Sequence, residues 1–217
     1  MKVTVLGASG MVGTPLVAEL LSRGHQVNAV VRNPDRIAAR DDLTVTRGDA
    51  FDPDSVRSVI DGADALVTLV TVRDDAQRDD SARTPVSLVR TAAEVSAAAG
   101  VRYFAMGGAG SLEIAPGLQL VDSPDFPAEY KPESGGFRDA LTYLSSDAPD
   151  GLDWTMLSPP IQIDPEAGRT GEYRVGGGSL LTDADGNSRI SAADLAVAVV
   201  DELETPKHSG VRFSVAY

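Results

Sequence analysis

Apolar residues follow two rhythms along this chain, and the rhythms alternate. Short unbroken runs, such as Val3 to Leu6 and Val27 to Val31, read as strands covered on both faces. Between them Val12, Leu16 and Leu20, joined by Val17 and Leu21, recur at helical spacing and mark one face of a helix. Pro15 falls in its first turn, where a missing N–H does no harm, and Gly24 ends it. The pattern then predicts a strand at Leu43 to Thr46 and a short helix from Asp52-Pro53 to Ile60. It continues with a strand at Ala65 to Val70, an Ala-rich helix from Val86 to Ala99 closed by Gly100, and a strand at Val101 to Met106.

After this fifth strand the rhythm breaks. Gly107 to Ser134 is rich in Gly and Pro, and a helix is predicted only from about Gly136 to Ser145. Leu152 to Leu157 reads as strand six. Ser158 to Arg189 is again irregular, with a small hairpin predicted around "EYRVGGGSLL". Ser191 caps a helix carrying Leu195, Val199 and Leu203, and Val211 to Val215 closes the chain as a strand. Strands spaced by helices predict an α/β fold, a Rossmann-type doubly wound parallel sheet forming a single domain over residues 1–217. Ligands in such sheets bind beyond the carboxyl ends of the strands, so the long stretches after strands five and six are the expected substrate loops.

Composition narrows the partners. The 217 residues carry a net charge of -13, with Lys only at positions 2, 131 and 207. Attraction to nucleic acid or anionic lipid needs clustered Lys and Arg, so neither is an expected partner. Without Cys there is no thiol nucleophile, thiolate metal site or disulfide, and His25 and His208 are far apart in sequence. No apolar run approaches the roughly 20 residues that span a bilayer. These features predict a cytoplasmic protein, monomer or homodimer, whose partner is a small molecule.

The opening "VTVLGASGMVG" suggests which one. Gly7, Gly10 and Gly13 lie between a predicted strand and a predicted helix. The first tolerates the tight turn, the second lets backbone amides approach a pyrophosphate, and the third lets helix and strand pack closely. The helix start, with Ser9, Met11 and Val12, then supplies the positive field that an acidic chain otherwise lacks. Strand two ends in "AVVRNP". Where an NAD site tends to carry an acidic residue, this chain has Arg32, which would pair with a 2′-phosphate; Arg36 is a weaker helper, and a solvated Arg32 is the plain alternative. NADP(H) is therefore the expected cofactor, with NAD(H) second. Asp49 in "RGDAF" either accepts from the adenine amino group, beside a backbone contact from Ala50, or caps the turn before Pro53. Leu69, Val70 and Thr71 are expected along the adenosine ribose and pyrophosphate.

With this loop, Arg32 and "GDAFDPDSV" in place, the chain resembles the atypical short-chain dehydrogenase/reductase group. More narrowly, it resembles the bacterial NADH–flavin reductases and NAD(P)H-binding oxidoreductases. The later stretches that carry the resemblance are "GGAGSLEIAPG" from Gly107, "DSPDFPAEYKPE" from Asp122, "LDWTMLSPP" from Leu152 and "ISAADLAVAVVDELE" from Ile190. The resemblance implies a Rossmann-type fold with NADP(H) and reduction of a flavin, quinone or similar small carbonyl acceptor. Some members of the group are redox sensors. One departure is informative. The wider superfamily places its catalytic tyrosine four residues before a lysine, whereas here Tyr103, Tyr130, Tyr143 and Tyr173 are followed at that spacing by Gly107, Ser134, Asp147 and Gly177.

Hydride transfer to a flavin or quinone asks less of the protein than alcohol oxidation. Ser111 is the candidate hydrogen-bond partner of an acceptor carbonyl, or else a loop cap. Tyr130 and Lys131, expected in an irregular loop, are candidate donors to an acceptor gaining negative charge, or surface packing. Ser158, Pro159 and Pro160, at the end of strand six, either hold the nicotinamide amide through backbone groups or simply stop the strand, and Gly107 is a further cofactor-binding candidate. Trp154 reads as core, His25 as lying at the wrong end of the sheet, "TDADGN" as a solvated turn, and Asp201, Glu202 and Glu204 as a wet helix face. Two other functions compete with an NADPH-dependent reductase: a non-catalytic NADP(H)-binding redox sensor, and an epimerase or dehydratase that retains its nicotinamide.

Overall fold

Val3 to Leu6 are all buried, because each face of the first strand meets a layer of helices. The computed structural model describes residues 1–37, 41–72 and 82–217. Its elements begin with β1 (Lys2–Leu6), α1 (Gly13–Ser22), β2 (Gln26–Val31), β3 (Leu43–Arg47) and α2 (Pro53–Val59). They continue with β4 (Ala65–Thr68), α3 (Pro85–Ala99), β5 (Arg102–Met106), β6 (Glu113–Ala115), β7 (Leu118–Gln119) and α4 (Lys131–Ser146). The remainder are β8 (Trp154–Ser158), β9 (Gln162–Asp164), β10 (Arg174–Gly176), β11 (Arg189–Ser191), α5 (Ala192–Glu204) and β12 (Val211–Ala216).

The principal sheet has the order β10-β12-β8-β5-β4-β1-β2-β3, and its strands pair in parallel except β10 with β12. From β1 the chain winds one way through β2 and β3 and the other way through β4 and β5. The switch point therefore lies between β1 and β4, as in Rossmann-type sheets. Alternation along the strands sorts the core into two layers. Val3, Val5, Phe104, Leu157 and Phe213 pack under α1 and α5. Leu6, Leu66, Tyr103, Trp154 and Met156 pack under α2, α3 and α4. Each large apolar side chain so buried contributes roughly 1.5–3 kcal/mol.

Local chemistry fixes the helix ends. Asp52 accepts from the amide of Asp54 and starts α2. Thr84 and Ser87 form a reciprocal capping box at α3, and Gly100 closes it at φ 66. Ser191 accepts from the amide of Asp194 at 2.9 Å and caps α5, as its sequence predicts. Trp154 is 5% exposed, in accord with its reading as core. No helix among the described residues is long and apolar enough to cross a membrane.

Three expectations change. Helix α4 begins at Lys131 rather than near Gly136, so Tyr130 and Lys131 sit at a helix start and not in an irregular loop. Gly136 serves close packing within the helix: a Cβ there would lie 2.7 Å from Pro85 of α3. The stretch "EYRVGGGSLL" does not fold back on itself. Its strand β10 pairs with β12 at the sheet edge, while Glu113 of β6 exchanges backbone hydrogen bonds with Gly178 and Leu180. Nor is the end of α5 wet throughout: Glu204 is exposed and Asp201 half-exposed, but Glu202 is not. Glu202 is 4% exposed and pairs with Arg102, while Asp201 and Glu204 pair with Arg23. The "TDADGN" turn is built on Asp183, whose Oδ1 accepts from the amides of Asp185 and Asn187.

Candidate functional site

The turn after β1 is built by exclusion of side chains. Gly7 adopts φ 91, and a Cβ there would come within 3.1 Å of the Leu69 backbone. At Gly13 the restriction is severe: a Cβ would lie 2.1 Å from the Gly7 carbonyl oxygen and 2.8 Å from Ala8 Cα. Helix α1 thus begins directly against the turn. Its N-cap, Val12, brings no capping side chain, and the first turn holds no acidic residue. The positive end of the helix dipole is left to whatever lies beside Ser9 and Gly10.

What lies there is a cavity of about 210 Å³ at the carboxyl ends of β1, β2, β3 and β4. It gathers Gly7, Ser9 and Gly10 from the turn, Arg32 from the end of β2, Asp49 and Ala50 after β3, and Leu69, Val70 and Thr71 after β4. Those residues, named separately from the sequence, meet at the switch point. A second, more open recess of about 450 Å³ is lined by Ser9, Gly10, Met11, Thr14 and Pro165. Val12 packs against the core beneath it. The Arg36 side chain lies outside the described residues.

The charged groups of the first cavity are arranged around Asp49. Asp49 Oδ1 accepts from the Phe51 amide at 3.1 Å and from Arg83 Nη1 at 3.1 Å, and Oδ2 accepts from Arg83 Nη2. Asp49 also caps the turn before Pro53, its Oδ1 accepting from the Phe51 amide and its carbonyl from the Asp52 amide; Asp52 caps α2, and Ser55 Oγ accepts from the Asp49 amide. Burial alone would raise the Asp49 pKa. The hydrogen bonds from Arg83 and Phe51 and the charges of Arg83 and Arg32 more than offset it and hold the carboxyl below its ordinary value. The Arg83 guanidinium also lies over the Phe51 ring, 4.9 Å from its centroid. Neither Arg83 nor Phe51 was a sequence candidate; the "F" of "RGDAF" is the nearest thing to a signal.

The other candidates are dispersed. Neither cavity is lined by Gly107, Ser111, Tyr130, Lys131, Ser158 or Pro159. Gly107 is buried, and a Cβ would lie 2.9 Å from Met156 Sδ. Ser111 is 3% exposed, and its Oγ accepts from Arg212 Nη1 at 3.3 Å. Ser158 and Pro159 are buried at the end of β8. Tyr130 is 43% exposed, and Lys131 is exposed beside it. Their helix contributes a residue the sequence did not single out: Glu133, 9% exposed, accepts from the Val72 amide at 3.2 Å and so ties α4 to the segment after β4.

A parallel sheet with a glycine-shaped first turn, an uncapped helix start and a cavity at its switch point defines a Rossmann-type dinucleotide-binding architecture. The chain belongs to the NAD(P)H-binding family, whose model matches residues 7–206. It is 35% identical to protein YwnB of Bacillus subtilis (strain 168) over 219 residues, covering 99% of this chain and 98% of the relative. A proposed epimerase from Bacteroides thetaiotaomicron superposes with a TM-score of 0.88 at 37% identity, covering 100% of this chain and 96% of that one. A proposed NADH-flavin reductase from Streptococcus pneumoniae TIGR4 superposes with a TM-score of 0.83 at 32% identity, covering 100% and 99%.

Proposed function

We propose that this protein is an NADPH-dependent oxidoreductase that passes hydride to a flavin, quinone or similar small carbonyl acceptor. The observation that carries the reading is the convergence of Gly7, Ser9, Gly10, Arg32 and Asp49 on one cavity at the switch point. The fit to a dinucleotide is physical. The space that a Cβ at Gly13 would need is already filled by backbone, so the turn is held where amides rather than side chains meet a ligand. The cofactor, when bound, supplies the hydride; everything else is positioning.

In this reading the start of α1 and Ser9 hold the diphosphate. Arg32, exposed at the rim, takes the 2′-phosphate by charge-assisted hydrogen bonds. Asp49 accepts from the adenine amino group, with Ala50 beside it. The nicotinamide end falls toward Gly107, Ser158 and Pro159, where β5 and β8 end. Tyr130 and Lys131 stand at the start of α4, from which either can donate to an acceptor oxygen that gains negative charge. Ser111, whose Oγ accepts from Arg212, is the candidate partner of the acceptor carbonyl.

The absence of a Tyr–Lys pair at helical spacing favours a second reading: an NADP(H)-binding redox sensor without turnover. One experiment separates the two. Purified protein is mixed with NADPH and a panel of flavins and quinones, and the nicotinamide absorbance is followed. Turnover with any acceptor supports the reductase. Saturable NADPH binding with no turnover across the panel leaves the sensor. No binding of either dinucleotide ends both.

A further inference from the structure

We infer that Arg83 sets the purine selectivity of the adenosine cavity, by holding Asp49 as a fixed acceptor for a 6-amino group. The inference rests on the dinucleotide reading above and goes beyond it: Arg83 is a positioning residue that acts through Asp49.

The lone pairs of one carboxylate carry the argument. An ionised Asp offers about four acceptor positions, two on each oxygen. Asp49 Oδ1 receives the Phe51 amide and Arg83 Nη1, both at 3.1 Å, and is full. Oδ2 receives Arg83 Nη2, and one position remains. The carboxylate cannot turn away from the cavity without breaking a two-pronged ion pair. The guanidinium is itself held by its seat over the Phe51 ring, at 4.9 Å. Asp49, Phe51 and Arg83 all line the cavity, together with Gly48 and Ala50.

A fixed acceptor discriminates by sign. The remaining lone pair of Oδ2 takes an amino N–H from a 6-aminopurine. Facing the carbonyl oxygen of a 6-oxopurine it meets another acceptor, and both are left unpaired in a partly buried site. Discrimination requires that Asp49 stay ionised, and the direction of its pKa shift ensures that at neutral pH. It also requires that the carboxylate not swing out into water, which is the part that Arg83 supplies. Lysine, a point charge without the planar fork, can neutralise Asp49 without fixing its plane.

The test uses NADPH and its deaminated analogue, nicotinamide hypoxanthine dinucleotide phosphate. Dissociation constants for both are measured by calorimetry on the wild type and on Arg83→Ala, Arg83→Lys and Asp49→Asn. The wild type is expected to favour NADPH by about tenfold or more, the worth of one charged hydrogen bond. In Arg83→Ala and Asp49→Asn that ratio falls severalfold, because the acceptor is loosened in one and gains a donor in the other. Arg83→Lys lies between the wild type and Arg83→Ala. A purely structural ion pair would weaken both dinucleotides together and leave the ratio where it was; that result in Arg83→Ala overturns the inference. So does a wild type that binds the two equally well, a measurement that needs no variant to fold. A wild type that binds neither removes the dinucleotide reading, and the inference with it.

Discussion

The two ends of the sheet use the same charged groups in opposite ways. At the amino end they pair with one another, around a buried Arg102–Glu202 pair. Arg102, 9% exposed at the start of β5, donates to Glu202 Oε1 at 2.9 Å, to the Glu202 carbonyl at 2.8 Å and to Thr155 Oγ1 at 3.0 Å. Glu202 also receives His208 Nδ1 at 2.7 Å and the amides of Lys207 and His208 at 3.0 Å. Arg23, past the end of α1, pairs with Asp201 and Glu204 of α5. At the carboxyl end the groups are half-exposed around a cavity, the helix start is uncapped, and Arg32 is left at the rim. Charges that close on one another hold α5 to the sheet. Charges left partly open are where a ligand can add to them.

This contrast makes the two ends separable by mutation. The largest effect is expected at Gly13. Any side chain there meets the Gly7 carbonyl oxygen at 2.1 Å, so the turn must move as backbone. Gly13→Ala should weaken NADPH binding by roughly a hundredfold or more, equivalent to about 2.7 kcal/mol, and calorimetry reads it directly. Retained affinity would mean that the turn is not the diphosphate seat. Next in size is Glu202→Ala, which takes the buried carboxylate from Arg102 and leaves it only one other, the exposed Asp153 at 3.4 Å. A loss of about 3–5 kcal/mol in denaturant unfolding is expected, as for other broken buried pairs. The surviving folded protein should bind NADPH as the wild type does. If affinity falls with stability, the two ends are coupled and the comparison fails.

How much of this was legible in the sequence depended on distance along the chain. The turn from β1 to α1 was legible because its whole cause lies within Gly7 to Gly13, and Arg32 because the end of β2 could be counted from there. Arg83 was not: its partner Asp49 lies in a different loop, and no local pattern marks either as half of a pair. Glu202 was misread for the same reason. Beside Asp201 and Glu204 it looks like a polar helix face, and only the three-dimensional position of Arg102 makes it interior. The start of α4 was set too late, near Gly136, because propensity is local, whereas the need for a missing Cβ there comes from Pro85 on another helix. The pairing of β10 with β12 was hidden likewise, since three glycines favour a turn and say nothing about a distant strand.

A smaller effect tests the cofactor itself. Arg32→Ala removes one exposed guanidinium at the rim and nothing from the core. NADPH affinity should fall about ten- to a hundredfold, the range of a lost charged hydrogen bond, while NADH affinity and the melting temperature stay put. Equal losses for the two cofactors would show that Arg32 acts on something other than the 2′-phosphate.

The mildest effect is in acid, and there the two ends can be told apart in one titration. Burial would raise the Glu202 pKa, but the hydrogen bonds from His208, the Lys207 and His208 amides and Arg102 outweigh it, and the net shift is downward from 4.5. Asp194 behaves alike. Burial opposes Tyr217, Gly171 and Thr170, and the hydrogen bonds prevail, below 3.8. A carboxylate whose folded pKa lies below its unfolded one stabilises fully above the unfolded value and loses that contribution as pH falls through the folded one. Stability should therefore hold from neutrality to about pH 5 and decline below it. Asp49 is shifted in the same direction, so NADPH affinity should decline on further acidification as Asp49 is protonated. Glu202→Gln should flatten the acid decline of stability and leave that of affinity unchanged. Asp49→Asn should flatten the decline of affinity and, because Asp49 is itself shifted downward, a part of the decline of stability. If Glu202→Gln flattened both curves, the carboxylates at the two ends would belong to one network rather than two.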